Sequence, residues 1–510
     1  MNVLLMLCAA AMAALILGAF AWIYRAWYRQ GVLGDAAYHL CIIRDLKAHP
    51  FTPYAGVRNF LHGAGRDTYP IFFHRLAARL PARGLEKYPA ALNAALYALF
   101  AGLIALVLTS GFELGLGQAL QALLLYFLLS TNLNYAGDGV LYLSLSERML
   151  ARLVTSMYFL ALVGFMQAEK VALLGLAAVC AGIGLMSAKF SRQALAFVGT
   201  LFALLSADPS PVLALAIGAG IAVSAERGFF VRGLRDHLTF LQTYARHTKH
   251  GRLFKSAFDR FVNPLWLLDP RVPLRRKLSA LPRKEPTHLL FRMPEVIVLL
   301  VFLGPLNHTF EYDLLLATAI VYVLVSLPLF NHLGESTRYF EYCLSMVAPL
   351  SLSHIWREHP YGFLVVFATI AWNLLLARRA YGAWAAQALP SRDELADFLE
   401  DCGLEQDARL LCIPINLAPA VVARTGLPAV CYPGNYGDWF FEDYVAEYPF
   451  LKRDWRPIAD RHGITHVVSD RRGLANAATF MGWSYDFQGT ELVADNGTYV
   501  CHRIAKATQD

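Results

Sequence analysis

Three short stretches hold side chains suited to moving a proton or gripping an anion. The first is Gly34-Asp35-Ala36-Ala37-Tyr38-His39-Leu40, followed by Arg44 and Asp45. A carboxylate at a membrane–water boundary can take the proton from an acceptor hydroxyl, so Asp35 is a candidate general base. Its plainest structural role is as a helix N-cap. If residues 36–47 coil into a helix, His39 falls one turn on, near Asp35. The second stretch is Gly137-Asp138-Gly139, with Glu147-Arg148 beyond it at the start of an apolar helix. Asp138 between glycines suits a turn, whereas two convergent carboxylates could share base and metal-binding roles. Glu147 and Arg148 read most simply as interfacial charges. The third is Gly334-Glu335-Ser336-Thr337-Arg338-Tyr339. Glu335 and Arg338 suit an i,i+3 ion pair, and a planar guanidinium also matches the oxygens of a lipid phosphate. Lys189 and Arg192 are further phosphate candidates, with snorkelling as the alternative.

The elements that must position these residues are mostly apolar. Hydrophobic residues make up 57% of the 510, charged residues 16%, and mean hydropathy is +0.42. Soluble domains usually carry about 25% charge, so lipid is the expected solvent for most of this chain. A helix needs about 20 apolar residues to cross a bilayer without leaving backbone groups unpaired. On that criterion, spans fall near 3–24, 89–109, 115–131, 150–167, 171–187, 193–206, 210–225, 294–306, 313–330, 341–356 and 361–377. The run 3–22 lacks a basic segment before it and is long for a cleaved leader, so it reads as a retained first helix.

Long polar loops cover 25–88 and 226–292. The second holds 15 Lys and Arg against 5 Asp and Glu, more than the whole chain's net charge of +7. Such a segment suits the anionic surface of a membrane, and nucleic-acid binding is not expected. With eleven spans, the 25–88 loop, the 132–149 loop, Lys189–Arg192, the basic loop, the 331–340 loop and the C-terminal segment share one face. Basic residues near helix ends, such as Arg25, Arg29 and Arg378, point that face to the cytoplasm. The two long loops exceed the length over which that rule holds.

Residues 390–510 form a small soluble α/β domain. Helix signals over 393–404 and 418–424 alternate with strand signals over 408–413, 464–468 and 499–504, and Asp495-Asn496-Gly497 suggests a type I′ hairpin turn. Nucleotide-binding glycine patterns are missing at the strand–helix junctions. The eight cysteines stand singly, without zinc-ligand spacing; the four beyond residue 400 suit buried thiols or disulfides.

Taken together, the arrangement resembles the GT-C superfamily of membrane glycosyltransferases: an α-helical polytopic membrane protein of about eleven spans with a C-terminal soluble domain. The resemblance rests on Gly34-Asp35-x-x-Tyr38-His39 after the first helix and on Thr68-Tyr69-Pro70-Ile71-Phe72-Phe73-His74. It is supported by Asp138, by Ser187-Ala188-Lys189-Phe190-Ser191-Arg192-Gln193, by Gly334-Glu335-x-x-Arg338-Tyr339, and by Gly463-Ile464-Thr465-His466-Val467-Val468 near the end. It implies a transmembrane domain over 1–389 and a soluble one over 390–510. It implies transfer of a sugar from a polyprenyl-phosphate or polyprenyl-diphosphate donor to a glycan, lipid or protein acceptor, at the extracytoplasmic face of the inner membrane. Asp35 would be the base and Asp138 a second acid, with a divalent cation (Mg or Mn) between them if one is used. Arg338, with Lys189 or Arg192, would steady the departing phosphate. His39, Arg44, Glu335 and Tyr339 complete the expected substrate contacts. No WWDYG-type motif is present, so transfer to an Asn sequon is not expected. A transporter or flippase of an anionic or lipid-linked solute is the alternative, and a membrane scaffold a third reading. Transporters favour ionisable residues at the midplane and internal repeats, whereas the charges here gather at helix ends.

Overall fold

The computed structural model describes residues 35–61, 67–81, 84–85, 89–130, 145–249, 270–271, 273–280, 287–304, 309–327, 329–386, 394–431, 451 and 453–505, with Ala11 and Leu15. Asp138 and, apart from those two residues, the expected span 3–24 lie outside the described residues. The described residues are mostly helical, with one small sheet among them near the end of the chain.

Helix α1 (Asp35–Ala48) and the short α2 (Phe72–Ala77) lie in the first long loop. Helix α3 (Pro89–Leu106) closes on one π turn, and α4 is Leu116–Leu128. Four helices follow in quick succession: α5 (Arg148–Ala168), α6 (Val171–Ser187), α7 (Lys189–Leu205) and α8 (Ser210–Glu226). The turns between them are too short for anything but reversal. Glu169 takes a left-handed conformation at the end of α5, and Pro211 opens α8 where its missing N–H costs nothing. The start of α5, the α6–α7 junction and the end of α8 therefore share one rim. Helices α6 and α8 touch through small residues: a Cβ on Gly218 would stand 2.8 Å from the Ala178 carbonyl oxygen. Glycine there lets the two helix backbones approach closely.

The basic stretch 226–292 departs from the expected loop. Helix α9 (Gly228–Lys249) leaves α8 at 117° and runs for 22 residues. Its charges fail a hydropathy test, yet they recur at helical spacing beside an apolar stripe. Val231, Leu234 and Leu238 are exposed along that stripe, while Phe230, Gly233 and His237 turn inward. Short helices α10 (Leu274–Ala280) and α11 (Thr287–Arg292) come next. Then follow α12 (Pro294–Leu303), α13 (Phe310–Ser326), α14 (Thr337–Leu344), α15 (Val347–Glu358) and α16 (Gly362–Ala386). The expected single span 341–356 is thus two helices. Pro349 cannot donate to the Ser345 carbonyl, and the Met346 amide at the break bonds Ser156 Oγ at 2.9 Å.

Among the described residues, Arg148–Ala168 and Gly362–Arg379 are each long and apolar enough to cross a membrane. The bent pair α8 and α9 makes a third if taken as one span. Other apolar helices, such as α4 and α6, are shorter.

The C-terminal region opens with α17 (Glu394–Asp401) and β1 (Leu410–Ile413), then α18 (Ala418–Thr425) and α19 (Arg456–His462). Strand β2 (His466–Asp470), α20 (Arg471–Met481), β3 (Thr490–Asp495) and β4 (Tyr499–Ile504) complete it. The sheet order is β1-β2-β4-β3, with β1 parallel to β2 and the other pairs antiparallel. The expected hairpin forms, but only Gly497 has a positive φ (84°), so the turn is not type I′. Asn496 Oδ1 accepts from the amides of Thr498 and Tyr499 instead, and this side-chain bond widens the loop.

This region grips the first long loop. Helix α1 packs on α18; the Arg44 guanidinium donates to the Ala423 carbonyl, and Cys41 Sγ donates to the Pro419 carbonyl at 3.4 Å. Residues 59–61 pair with Ala429 in a parallel bridge beside β1. The loop that carries Asp35 is held from both sides.

Candidate active site at the helix rim

Glu147 stands just before α5 and is 4% exposed. One of its oxygens lies 2.8 Å from His39 Nε2, and the other accepts the Tyr69 hydroxyl at 2.5 Å. His39 Nδ1 in turn lies 2.9 Å from His74 Nε2. His39 Nε2–H donates to Glu147, and the tautomers of the two imidazoles set which of them donates across the Nδ1–Nε2 contact. Burial, reinforced by His39, pushes His74 down to about 3. Burial would raise the Glu147 carboxyl, but the attraction and hydrogen bond of His39 and the charge of Arg148 hold it well below the usual carboxylate range. Helix α1, helix α2 and the mouth of α5 are thereby tied at one point.

A second buried carboxylate lies alongside. Asp67 Oδ2 accepts the hydroxyls of Tyr54 at 2.9 Å and Tyr38 at 3.1 Å, and Oδ1 accepts the Tyr69 amide at 2.9 Å. Burial pushes Asp67 up, against the pull of those three donors. Burial likewise raises Tyr38, Tyr54 and Tyr69, so the three phenols remain donors. Tyr69 therefore links the two networks, with its amide on Asp67 and its hydroxyl on Glu147.

Asp35 differs from both. Its side chain is 62% exposed at the first turn of α1, and Arg148 NH2 lies 3.3 Å from its Oδ2. The residue after buried Glu147 thus reaches the open carboxylate of the first loop. His39 is one turn from Asp35, as the spacing predicts, but it turns inward to Glu147.

The cations lie along the same rim. Lys189 Nζ stands 4.4 Å from the Phe240 ring centroid and 5.7 Å from that of Tyr69. Arg192 is buried; Nε donates to the Leu185 carbonyl at 2.7 Å and NH1 to that of Gly233 at 3.1 Å, fixing α9 against the α6–α7 junction. Thr68 Oγ1 donates to Asp236 at 2.7 Å and joins α9 to the first loop. Arg338 lies over the Phe190 ring at 5.9 Å and its Nε is 3.4 Å from Glu335, which also takes Arg292 at 3.1 Å. Tyr339 is buried, its hydroxyl on Gln193 Oε1 at 3.3 Å. The aromatic ring of Phe190 touches both Tyr339 and Tyr342, and the Tyr342 hydroxyl donates to the Arg148 carbonyl at 3.5 Å.

Contacts thus run without a gap from Asp35 through Arg148, Tyr342 and Phe190 to Arg338, and from Glu147 through Tyr69 to Lys189. The structure brings together Asp35, His39, Lys189, Arg192, Glu335, Arg338 and Tyr339 along one seam. Arg44 lies apart, on the α1–α18 contact. Glu147, His74, Asp67 and Tyr69 are the members whose place in the seam sequence reading misses. Asp67 immediately precedes the quoted Thr68-Tyr69-Pro70 motif, and that adjacency is the one signal that could have found it. Among the described residues no group of three or more His, Cys, Asp or Glu side chains is placed to hold a metal ion. A site shared by Asp35 and Asp138 would need a residue outside them.

No family model matches the chain, and no curated protein matches it. Solved structures do. ArnT from Cupriavidus metallidurans bound to undecaprenyl phosphate is similar with a TM-score of 0.52 and 13% identity, covering 99% of this chain and 98% of that one. The apo state of the same protein gives 0.53 and 12% identity, over 97% and 98% of the two chains. The Archaeoglobus fulgidus oligosaccharyltransferase in complex with Zn and sulfate gives 0.54 and 13% identity, over 93% of this chain and 69% of that one. The fold of this chain is the fold of these structures.

Proposed function

We propose that this chain is a membrane glycosyltransferase, moving a sugar from a polyprenyl-phosphate or polyprenyl-diphosphate donor to an acceptor hydroxyl. In this reading the shorter apolar helices are spans, about eleven in all. Residues 1–389 form the transmembrane domain and 390–510 the soluble one. The rim and the soluble domain face the extracytoplasmic side of the inner membrane.

Asp35 takes the proton from the acceptor hydroxyl. The Arg148 guanidinium orients that carboxylate, and the buried Glu147–His39–His74 chain holds Arg148 and α1 in register. The acceptor oxygen bonds to the anomeric carbon while the carbon–oxygen bond to phosphate breaks, with inversion. The electron pair leaves with the phosphate, whose charge is met by cations fixed in advance. Arg338 is the best placed of them, because it is partly open and its planar donors match phosphate oxygens. Lys189 stands beside it along the seam. Arg192 acts through α9, whose arginines and exposed apolar stripe draw anionic lipid to the rim.

The observation that carries the reading is the continuous seam of an open carboxylate and cations on a GT-C fold. The test is purified protein in lipid nanodiscs given a polyprenyl-phosphate carrying a labelled sugar. Transfer of label, or its release by donor hydrolysis, is the expected result. Passage of the intact donor across reconstituted vesicles with neither outcome would replace the enzyme by a transporter.

A further inference from the structure

Four described cysteines lie beyond residue 400, and two of them meet. Helix α17 and strand β4 face each other through Phe398 and Tyr499, whose ring centroids are 5.7 Å apart. Cys402 follows Phe398 by one helical turn, its amide donating to the Phe398 carbonyl at 3.1 Å. Cys501 follows Tyr499 by two residues and so points from the same face of β4. Both pairs are therefore aligned across one contact. The Cys501 thiol hydrogen-bonds to Cys402, and the two are buried at 0% and 4% exposure.

Cys412 is not an alternative partner for Cys501. It is opposite Val468 on β2, and Val468 is opposite Cys501 on β4, so the two cysteines stand two strands apart in one register. Strands are spaced about 4.8 Å apart, so that separation is roughly 10 Å, beyond the reach of a disulfide.

We propose that Cys402 and Cys501 form a disulfide in the mature protein, fastening α17 to β4 and closing the C-terminal domain onto itself. The proposal rests on the extracytoplasmic placement of that domain in the functional reading above, because disulfides persist in oxidising compartments. The two thiols lose two protons and two electrons as the S–S bond forms. The electrons pass to a protein-disulfide oxidant of that compartment, whose own S–S bond becomes two thiols.

The test is differential alkylation of the full-length protein in native membranes, denatured in N-ethylmaleimide, then reduced and treated with iodoacetamide. Mass spectrometry is expected to find iodoacetamide on Cys402 and Cys501, the maleimide on Cys412, and a linked peptide without reduction. In Cys402→Ala, Cys501 should switch to the maleimide label. Maleimide on both Cys402 and Cys501 of the wild type would overturn the proposal. Ala478→Cys, on the exposed face of α20, reports sidedness separately through a membrane-impermeant maleimide applied to intact cells. Labelling there with Cys402 and Cys501 reduced sinks the disulfide alone. Failure to label there until the membrane is opened sinks the placement as well.

Discussion

Asp35 and Glu147 are carboxylates on two sides of one seam, and the chain treats them oppositely. Glu147 is buried, and its oxygens take an imidazole and a phenol. Asp35 is open to solvent with one guanidinium beside it. The link between them is a single peptide bond, since Arg148, the partner of Asp35, follows Glu147 in the chain. A buried carboxylate packed among its donors is closed to an incoming hydroxyl; a solvent-exposed one is open to it. In the proposed function, Glu147 therefore positions and Asp35 does the chemistry.

The sharpest way to break that contrast is to neutralise each carboxylate in turn. Asp35→Asn should lower sugar transfer about 100-fold or more, the usual loss on removing a general base, with only the small loss of thermal stability that its exposed ion pair carries. Glu147→Ala should do the reverse in kind, costing roughly 3–5 kcal/mol of stability because it strands the groups it holds in a buried site. Its signature is a lower melting temperature in detergent, with activity falling in step with the folded fraction. If Glu147→Ala kept its melting temperature and lost turnover, the two roles would have to be exchanged.

Acid sharpens the same contrast. His74 is pushed down to about 3 by burial, from an unfolded value near 6.5, so between those values the unfolded chain binds a proton that the folded chain does not. Stability contributed by neutral His74 is complete above about pH 6.5 and is lost as pH falls toward 3. Melting temperatures of wild type and His74→Gln should diverge least at pH 5 and most at pH 7.5. A constant gap would remove His74 titration from the account. As small in stability is Arg148→Ala, where loss of the same partly exposed ion pair should cost about 1 kcal/mol or less. Its effect belongs in catalysis, as a drop in kcat on the order of tenfold with a small change in melting temperature.

Much of this was legible beforehand and some was not, for reasons that differ by region. Hydropathy locates α3 to α8, α12, α13 and α16 because their long apolar runs fold as helices that pair their own backbone groups. It misses α9, where apolar residues recur every third or fourth position among arginines and only the periodicity reports the helix. It merges α14 with α15, because Pro349 breaks the backbone pattern without interrupting the apolar run. Asp35, Lys189 and Arg338 stand out in sequence because charge at a helix end is conspicuous. The partners of Glu147 do not, since His39 and Tyr69 are remote in the chain and nothing local marks them as its contacts. A burial relation between distant loops is set by packing, and packing is what the sequence conceals.

The account stands on the cations of the seam holding a lipid phosphate within reach of Asp35. The direct measurement is photocrosslinking with a polyprenyl monophosphate carrying a diazirine beside the phosphate, with adducts mapped by mass spectrometry. Adducts should fall on the start of α1, the mouth of α5, the first turn of α7 and the 335–342 segment, and Arg338→Ala should diminish them. Adducts confined to the opposite helix ends, near 168–171 and 205–210, would contradict the account.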